Sequence, residues 1–255
     1  MGQSTRDLPI EIAERPYVPV MVNDTGPHPF LLDTGALGLS LATDVAQALG
    51  LEVEDGWTTV RRLAIGSCRW PDVGLGVGDN SALSSLLGRP VAGIIGSRFL
   101  AAAKLSLTID YPSQTLSLEE GAEGGGLPPS AVGLTIANGY PLVPGRPNGT
   151  GPYLFLLDTG AGPCLISPAV ARSLDLPMGN RGTARGVADD LESCRSVLAL
   201  LAVGDQCAAD LEVGVMDCAT ISGYAGTQVD GYLGHGFLSR FAVSVDFPRR
   251  ALSLQ

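Results

Sequence analysis

The amino-acid sequence predicts an all-β chain of two lobes, each a closed β unit, related by a pseudo-twofold axis. Three observations carry this. The heptapeptide FLLDTGA occurs twice, at residues 30–36 and 155–161. Two further blocks follow each copy in the same order: GIIGSRFL (93–100) and GYLGHGFL (231–238), then LTIDYPSQTLSL (107–118) and VSVDFPRRALSL (243–254). Such self-similarity marks a repeated structural unit. Finally, 34 Gly and 18 Pro punctuate 255 residues that are 45 % hydrophobic and 16 % charged, a composition suited to short strands and many turns.

The elements can be read in order. Asn23, Gly26 and Pro27 precede the first heptapeptide, and Asn148, Gly151 and Pro152 precede the second at the same offset. Phe30-Leu31-Leu32 and its repeat read as buried strands that each deliver an Asp into a Thr-Gly turn. ATDVAQALGLE (42–52) and SPAVARSLDLP (167–177) place Ala, Val and Leu at helical spacing and stop near a Gly or Pro.

The next interval differs between the halves. NRGTARGVADDLESCRSV (180–197) is long, small and polar before the strand LLAVGDQ (200–206). Its counterpart EVEDGWTTVRR (52–62), before LAIGSC (63–68), is shorter. The first half is expected to carry an extra segment of its own, DNSALSSLLGRPVAG (79–93), with Leu83, Leu86 and Leu87 as core residues. Ile94-Ile95-Gly96 and Tyr232-Leu233-Gly234 are short apolar strands, each followed by a helical pattern (97–104 and 235–241). With the earlier pair, that makes about two short helices per unit. Each half closes on a β-hairpin whose turn is capped by Asp110 or Asp246. The expected division is an N-terminal lobe at 1–120, a Gly- and Pro-rich linker at 121–130 and a C-terminal lobe at 131–255.

Composition excludes several function classes. A net charge of −10 opposes phosphate binding, so nucleic acid is not an expected partner. No apolar run is long enough to span a bilayer. MGQSTRDLPIEIAERP has no apolar signal core. The expectation is a soluble chain, cytoplasmic if this N-terminus is native and periplasmic or secreted if a signal segment has been trimmed. Little sequence precedes the first lobe strand, so a long inhibitory propeptide is not expected within these residues. Cys68, Cys164, Cys194, Cys207 and Cys218 form no CxxC pair and read as free thiols. His28 and His235 are the only histidines, which argues against a His-dependent hydrolase; His235, beside Gly234, reads as structural. No GxSxG, HExxH or P-loop pattern occurs. Neither a cofactor nor a metal is expected.

A carboxylate at the end of a buried strand is costly unless it is paired or hydrogen-bonded. Two such units about a twofold axis bring Asp33 and Asp158 together. Two carboxyls in contact share a proton, so one is a base while the other is an acid. That chemistry suits hydrolysis by direct attack of water.

These residues resemble the aspartic protease superfamily, the clan of pepsin and retroviral proteases, over nearly the whole chain. The resemblance is to a single-chain, fused two-lobe form of retropepsin-like lobes, as in some bacterial enzymes. It implies the two-lobed acid-protease fold, with Asp33 and Asp158 as the catalytic dyad. It implies that Thr34 and Thr159 grip the opposite lobe's backbone. Gly35 and Gly160 form the turns, with Ala36 and Ala161 after them as in retroviral-type enzymes. Ile95, Gly96, Leu233 and Gly234 supply the partner strands beside the catalytic loops. It further implies one flap, from the C-terminal lobe, with Gly182, Gly186, Val187 and Ala188 against the substrate. The expected function is an aspartic endopeptidase acting as a monomer on peptides or unfolded protein, with apolar residues on both sides of the cut. Its pH optimum should be less acidic than that of pepsin-type enzymes. The alternatives are a catalytically silent peptide-binding module on the same fold and a narrow-specificity processing protease.

Overall fold

The computed structural model describes residues 2–121, 130–177, 181–185 and 190–255, with only the backbone described at 181–185 and 190–193. The N-terminal half opens with β1 (Ser4–Pro9), β2 (Glu11–Ile12), β3 (Pro16–Val22) and β4 (Thr25–Asp33). β5 (Leu39–Ala42), α1 (Thr43–Ala48), β6 (Trp57–Ile65), β7 (Cys68–Gly78), α2 (Ser81–Leu87), β8 (Gly93–Gly96) and α3 (Ser97–Ala102) follow. The half ends on β9 (Leu105–Asp110) and β10 (Thr115–Glu120). The second half runs through β11 (Val132–Gly133), β12 (Thr135–Ala137), β13 (Tyr140–Pro147), β14 (Tyr153–Leu157), β15 (Cys164–Ile166) and α4 (Pro168–Ser173). Next come β16 (Arg181–Arg185), β17 (Asp190–Val203), β18 (Gln206–Val215), α5 (Ala219–Ala225), β19 (Gly231–Leu233) and α6 (His235–Leu238). β20 (Ala242–Asp246) and β21 (Ala251–Leu254) complete it.

Each half closes one six-stranded barrel. The first has the order β3-β4-β8-β5-β7-β6, and pairing of β3 with β6 seals it. The second has the order β13-β14-β19-β15-β18-β17, sealed by β13 against β17. The strands correspond one for one. β4 runs parallel to β8, and β14 parallel to β19. Parallel strands covered on both faces read as unbroken apolar runs. That is why Phe30, Leu31 and Leu32, and likewise Phe155, Leu156 and Leu157, are all buried.

β2, β12 and β16 extend the barrel sheets, and the other six strands form one sheet, β1-β10-β9-β20-β21-β11, drawn from both halves. Its centre is the antiparallel pair β9–β20, with Thr108 opposite Ser244. In both strands buried and half-buried residues alternate, the pattern of one face on a core. Asp110 and Asp246 cap their turns: Ser113 N donates to Asp110 Oδ1 at 2.9 Å, and Arg249 N to Asp246 Oδ1 at 2.8 Å.

Two expectations need correction. Among the described residues each half has three short helices, not two. The segment 79–93 is not an addition to the first half, because its helix α2 has a counterpart in α5 at the same place between barrel strands. ALSSLL and TISGYA differ in most letters, but Leu83/Ile221, Ser84/Ser222 and the closing Gly88/Gly226 recur at an offset of 138, so the sequence carries the match as well. Leu83 is core, packed with Tyr17, Leu31 and Val91, while Leu86 and Leu87 are half-buried.

All five cysteines are free. No helix among the described residues is long and apolar enough to cross a membrane. Most of the linker expected at 121–130 lies outside the described residues.

Candidate active site

The two Asp residues stand at matching ends of the two barrels. On the first side Leu32 pairs with Ile95 and Asp33 with Gly96. On the second Leu157 pairs with Leu233, and Asp158 N donates to Leu233 O at 3.1 Å. The partner strands also hold the turns. Ser97 N donates to Ala36 O and His235 N to Ala161 O, both at 2.9 Å. The expected positions Ile95, Gly96, Leu233 and Gly234 are therefore beside the loops they were assigned to.

Thr34 and Thr159 are fully buried and lock the lobes reciprocally. Thr34 N donates to Thr159 Oγ1 (3.0 Å), and Thr159 N donates to Thr34 Oγ1 (3.1 Å). Each hydroxyl then donates across the interface, Thr34 to Leu157 O (2.6 Å) and Thr159 to Leu32 O (2.7 Å). A hydroxyl is needed at both positions because each accepts one bond and donates another. The lock brings the two Asp-Thr-Gly turns face to face.

The glycines of those turns make the approach possible. A Cβ on Gly35 would lie 2.5 Å from Asp158 Cγ, and one on Gly160 would collide with the carboxyl of Asp33. Each turn thus packs bare backbone against the other lobe's carboxyl, which no larger residue permits. The two carboxyls face each other closely enough that each shifts the ionisation of the other.

The electrostatics of the pair are unequal. Burial raises the pKa of Asp33, and the N–H of Ala36, the bond to Asp158, the N–H of Gly35 and the charge of Arg15 oppose that rise. Burial raises Asp158 well above its ordinary value, the negative charge of Asp33 adds to the rise, and the N–H groups of Gly160 and Ala161 oppose it. The geometry agrees: Asp33 Oδ1 accepts from Gly35 N (2.9 Å) and Ala36 N (3.0 Å), whereas Asp158 Oδ1 accepts from Gly160 N (2.9 Å). Asp33 has the carboxylate with more N–H donors and the nearby charge of Arg15, which favours it as the anion of the pair.

Sequence reasoning missed Arg15. It lies just ahead of β3, yet its Nε donates 2.6 Å across the lobe interface to Gly160 O. The signal was available in the repeat register, where Tyr140 occupies the matching place ahead of Pro141. Sequence reasoning also passed over Tyr111, which is buried with its ring against His235, 5.7 Å between centroids. Among the described residues neither Tyr111 OH nor His235 Nδ1 has a hydrogen-bond partner. Burial holds the imidazole below its ordinary pKa, which fits a structural His235.

Of the expected flap residues, Gly182 is in β16, which pairs with β17 from Arg181 opposite Cys194 to Arg185 opposite Asp190. Gly186, Val187 and Ala188 lie outside the described residues. Among the described residues, no three His, Cys, Asp or Glu side chains gather as metal ligands do.

Comparison with known proteins gives a consistent result. The sequence matches the family model described as "Aspartyl protease" over residues 18–61 and 143–237, more than half of the chain. No curated protein matches the chain. The fold is similar to that of an aspartic proteinase from Irpex lacteus: TM-score 0.55 at 15 % identity, over 100 % of this chain and 97 % of that one. A retropepsin-like aspartic protease from Rickettsia conorii aligns at TM-score 0.34 and 20 % identity, over 47 % of this chain and 92 % of that one. The chain belongs to the aspartyl protease family.

Proposed function

We infer that this aspartyl protease family member is an active endopeptidase, with Asp33 and Asp158 as its catalytic dyad. The observation that carries the reading is the buried carboxyl pair at the lobe interface, each carboxyl packed on the glycine of the opposite Asp-Thr-Gly turn.

A peptide lies extended between the lobes and a water sits between the two carboxyls. Asp33 takes a proton from that water as its oxygen attacks the scissile carbonyl carbon. Asp158 gives its proton to the carbonyl oxygen, and a neutral tetrahedral diol forms. On collapse the C–N bond breaks, the proton on Asp33 passes to the departing amine nitrogen, and a diol hydroxyl returns its proton to Asp158. The products are a carboxylic acid and an amine, and the dyad is restored. The hairpin β16–β17 serves as the flap that pairs with substrate backbone. Both lobes come from one chain, so a monomer is sufficient.

The test is cleavage of an unfolded protein from about pH 3 to about pH 8, with wild type against Asp33→Asn and Asp158→Asn. Each substitution should reduce kcat by about 10²–10⁴-fold with folding intact. Cleavage that survives either change sinks the dyad. No cleavage by wild type leaves a peptide-binding module.

A further inference from the structure

We propose that Arg15 makes the cleft read its peptide asymmetrically: the end over Gly160–Gly162 takes an acidic side chain, and the mirror end over Leu37 takes an apolar one. This rests on the dyad reading and adds the substrate class.

The pseudo-twofold places two residues in matching positions, Arg15 ahead of Pro16 and Tyr140 ahead of Pro141. Each faces the other lobe's Asp-Thr-Gly loop, and the two ends differ. At one end the loop residue is Gly162, and a Cβ there would sit 3.1 Å from an Arg15 terminal nitrogen. Arg15 Cζ and a carboxylate oxygen of Glu14 lie 3.6 Å from the same point, so Glu14 holds the place a substrate carboxylate would take. At the mirror end the loop residue is Leu37. It packs on the apolar cluster that contains Tyr140, Leu142 and Leu156, with Gly139 against its Cδ2.

Arg15 is fixed but not used up. Its Nε is bound to Gly160 O, which leaves both terminal NH2 groups. Their ionic partner is Glu14, at 3.7 Å and 77 % exposed, against 19 % for Arg15. An exposed pair at that distance contributes about 0–1 kcal/mol, so a substrate carboxylate can displace Glu14. The guanidinium is also the cation whose charge reaches Asp33. Arg98 stands at the mirror end but is exposed, and its terminal nitrogen donates to Asn138 O at 3.3 Å. At about 3.3 Å per residue, an extended peptide meets Arg15 within roughly three residues of the scissile bond.

The experiment measures kcat/KM on peptide sets identical except for Glu, Gln, Lys or Leu at each position flanking the cut. Wild type should prefer Glu to Lys by about 10–100-fold at one position on one side, the worth of a charge-assisted hydrogen bond. At the mirror position Leu should exceed Glu. Arg15→Glu should invert the Glu/Lys ratio, Arg15→Gln should bring it towards one, and Arg15→Lys should keep its direction. Arg98→Glu should leave it in place. A wild-type ratio near one overturns the inference, as does a ratio that Arg15→Glu and Arg15→Gln leave unmoved, or one that Arg98→Glu shifts equally. These readings require that wild type cleaves the Gln peptide. If it does not, the dyad reading fails and the inference falls with it.

Discussion

The turn at the start of β6 and the hairpin at the start of β17 begin from the same place and come out differently. Trp57 opposite Gly76 in the first barrel corresponds to Arg195 opposite Gly214 in the second. In the first lobe the chain turns back at once. Glu54 and Trp57 exchange both backbone bonds at 2.9 Å around Asp55 and Gly56, which have φ of 51° and 78°. That is the left-handed two-residue turn for which Asp-Gly is suited. In the second lobe β17 continues to Asp190 and pairs with β16. The spacing between matching residues is 125 at Asp33 and Asp158 and 138 at Gly93 and Gly231, and the growth falls in this interval. The base of the site needs both lobes in identical form, because each Thr and each Gly serves the opposite Asp. The structure above the base does not, and there the halves have diverged.

Substitutions at the base should therefore act alike in the two lobes. Gly35→Ala and Gly160→Ala each push a methyl group into the opposing carboxyl and should lower kcat by about 10³-fold, within the range of acid–base catalysis. A variant that keeps full activity would break the symmetry of the base. Thr34→Val and Thr159→Val each leave a buried carbonyl and a buried N–H without partners. Each should cost about 2–4 kcal/mol, or roughly 2–4 °C per kcal/mol in Tm. The double variant should cost less than the sum. Simple additivity, read from denaturant melts, would mean the two hydroxyls are not one coupled lock.

The hairpin should behave in the opposite way. Replacing residues 181–194 with the Asp-Gly turn of the first lobe should leave Tm unchanged and lower kcat/KM by about tenfold, mainly through KM. Unchanged kinetics would remove the hairpin from substrate binding.

The smallest effect separates the two carboxyls. Asp158 has its pKa raised in the folded state, so its contribution to stability is full below the ordinary carboxylate range and is lost as pH rises through the folded value. Asp158→Asn cannot ionise. Its Tm should match wild type near pH 4 and exceed it by a few degrees near pH 8, by thermal melts. Asp33→Asn should gain less, because the N–H groups of Ala36 and Gly35 and the charge of Arg15 already favour the anion. Equal gains would cancel the assignment of base and acid. With both pKa values raised, the pH–rate profile should also peak well above about pH 2, where pepsin-like dyads begin to ionise.

Much of the base was legible in the sequence, because burial forces its pattern. Phe30-Leu31-Leu32 must be unbroken when a parallel strand lies beside it, and Asp-Thr-Gly must recur when each copy serves the other. Arg15 was not legible by identity, since its counterpart is Tyr140 and a search for repeats passes over what differs. The match of α2 with α5 was legible, in Ser84 and Ser222, Gly88 and Gly226, and Val91 and Val229 at the offset that Gly93 and Gly231 keep, but the differing letters between them hid it. The two closing hairpins were visible as hairpins, but nothing along the chain tells that Thr108 meets Ser244, because that pairing is set by how the lobes dock.

That pairing makes the halves inseparable in a way the barrels alone do not. β9 and β20 are each other's neighbour, so cutting the chain at the linker and expressing one half would leave a strand with a bare row of amides and carbonyls. Such a half would find a second copy of itself or aggregate. The gene can drift into two different lobes, but it can no longer be divided into two independent proteins.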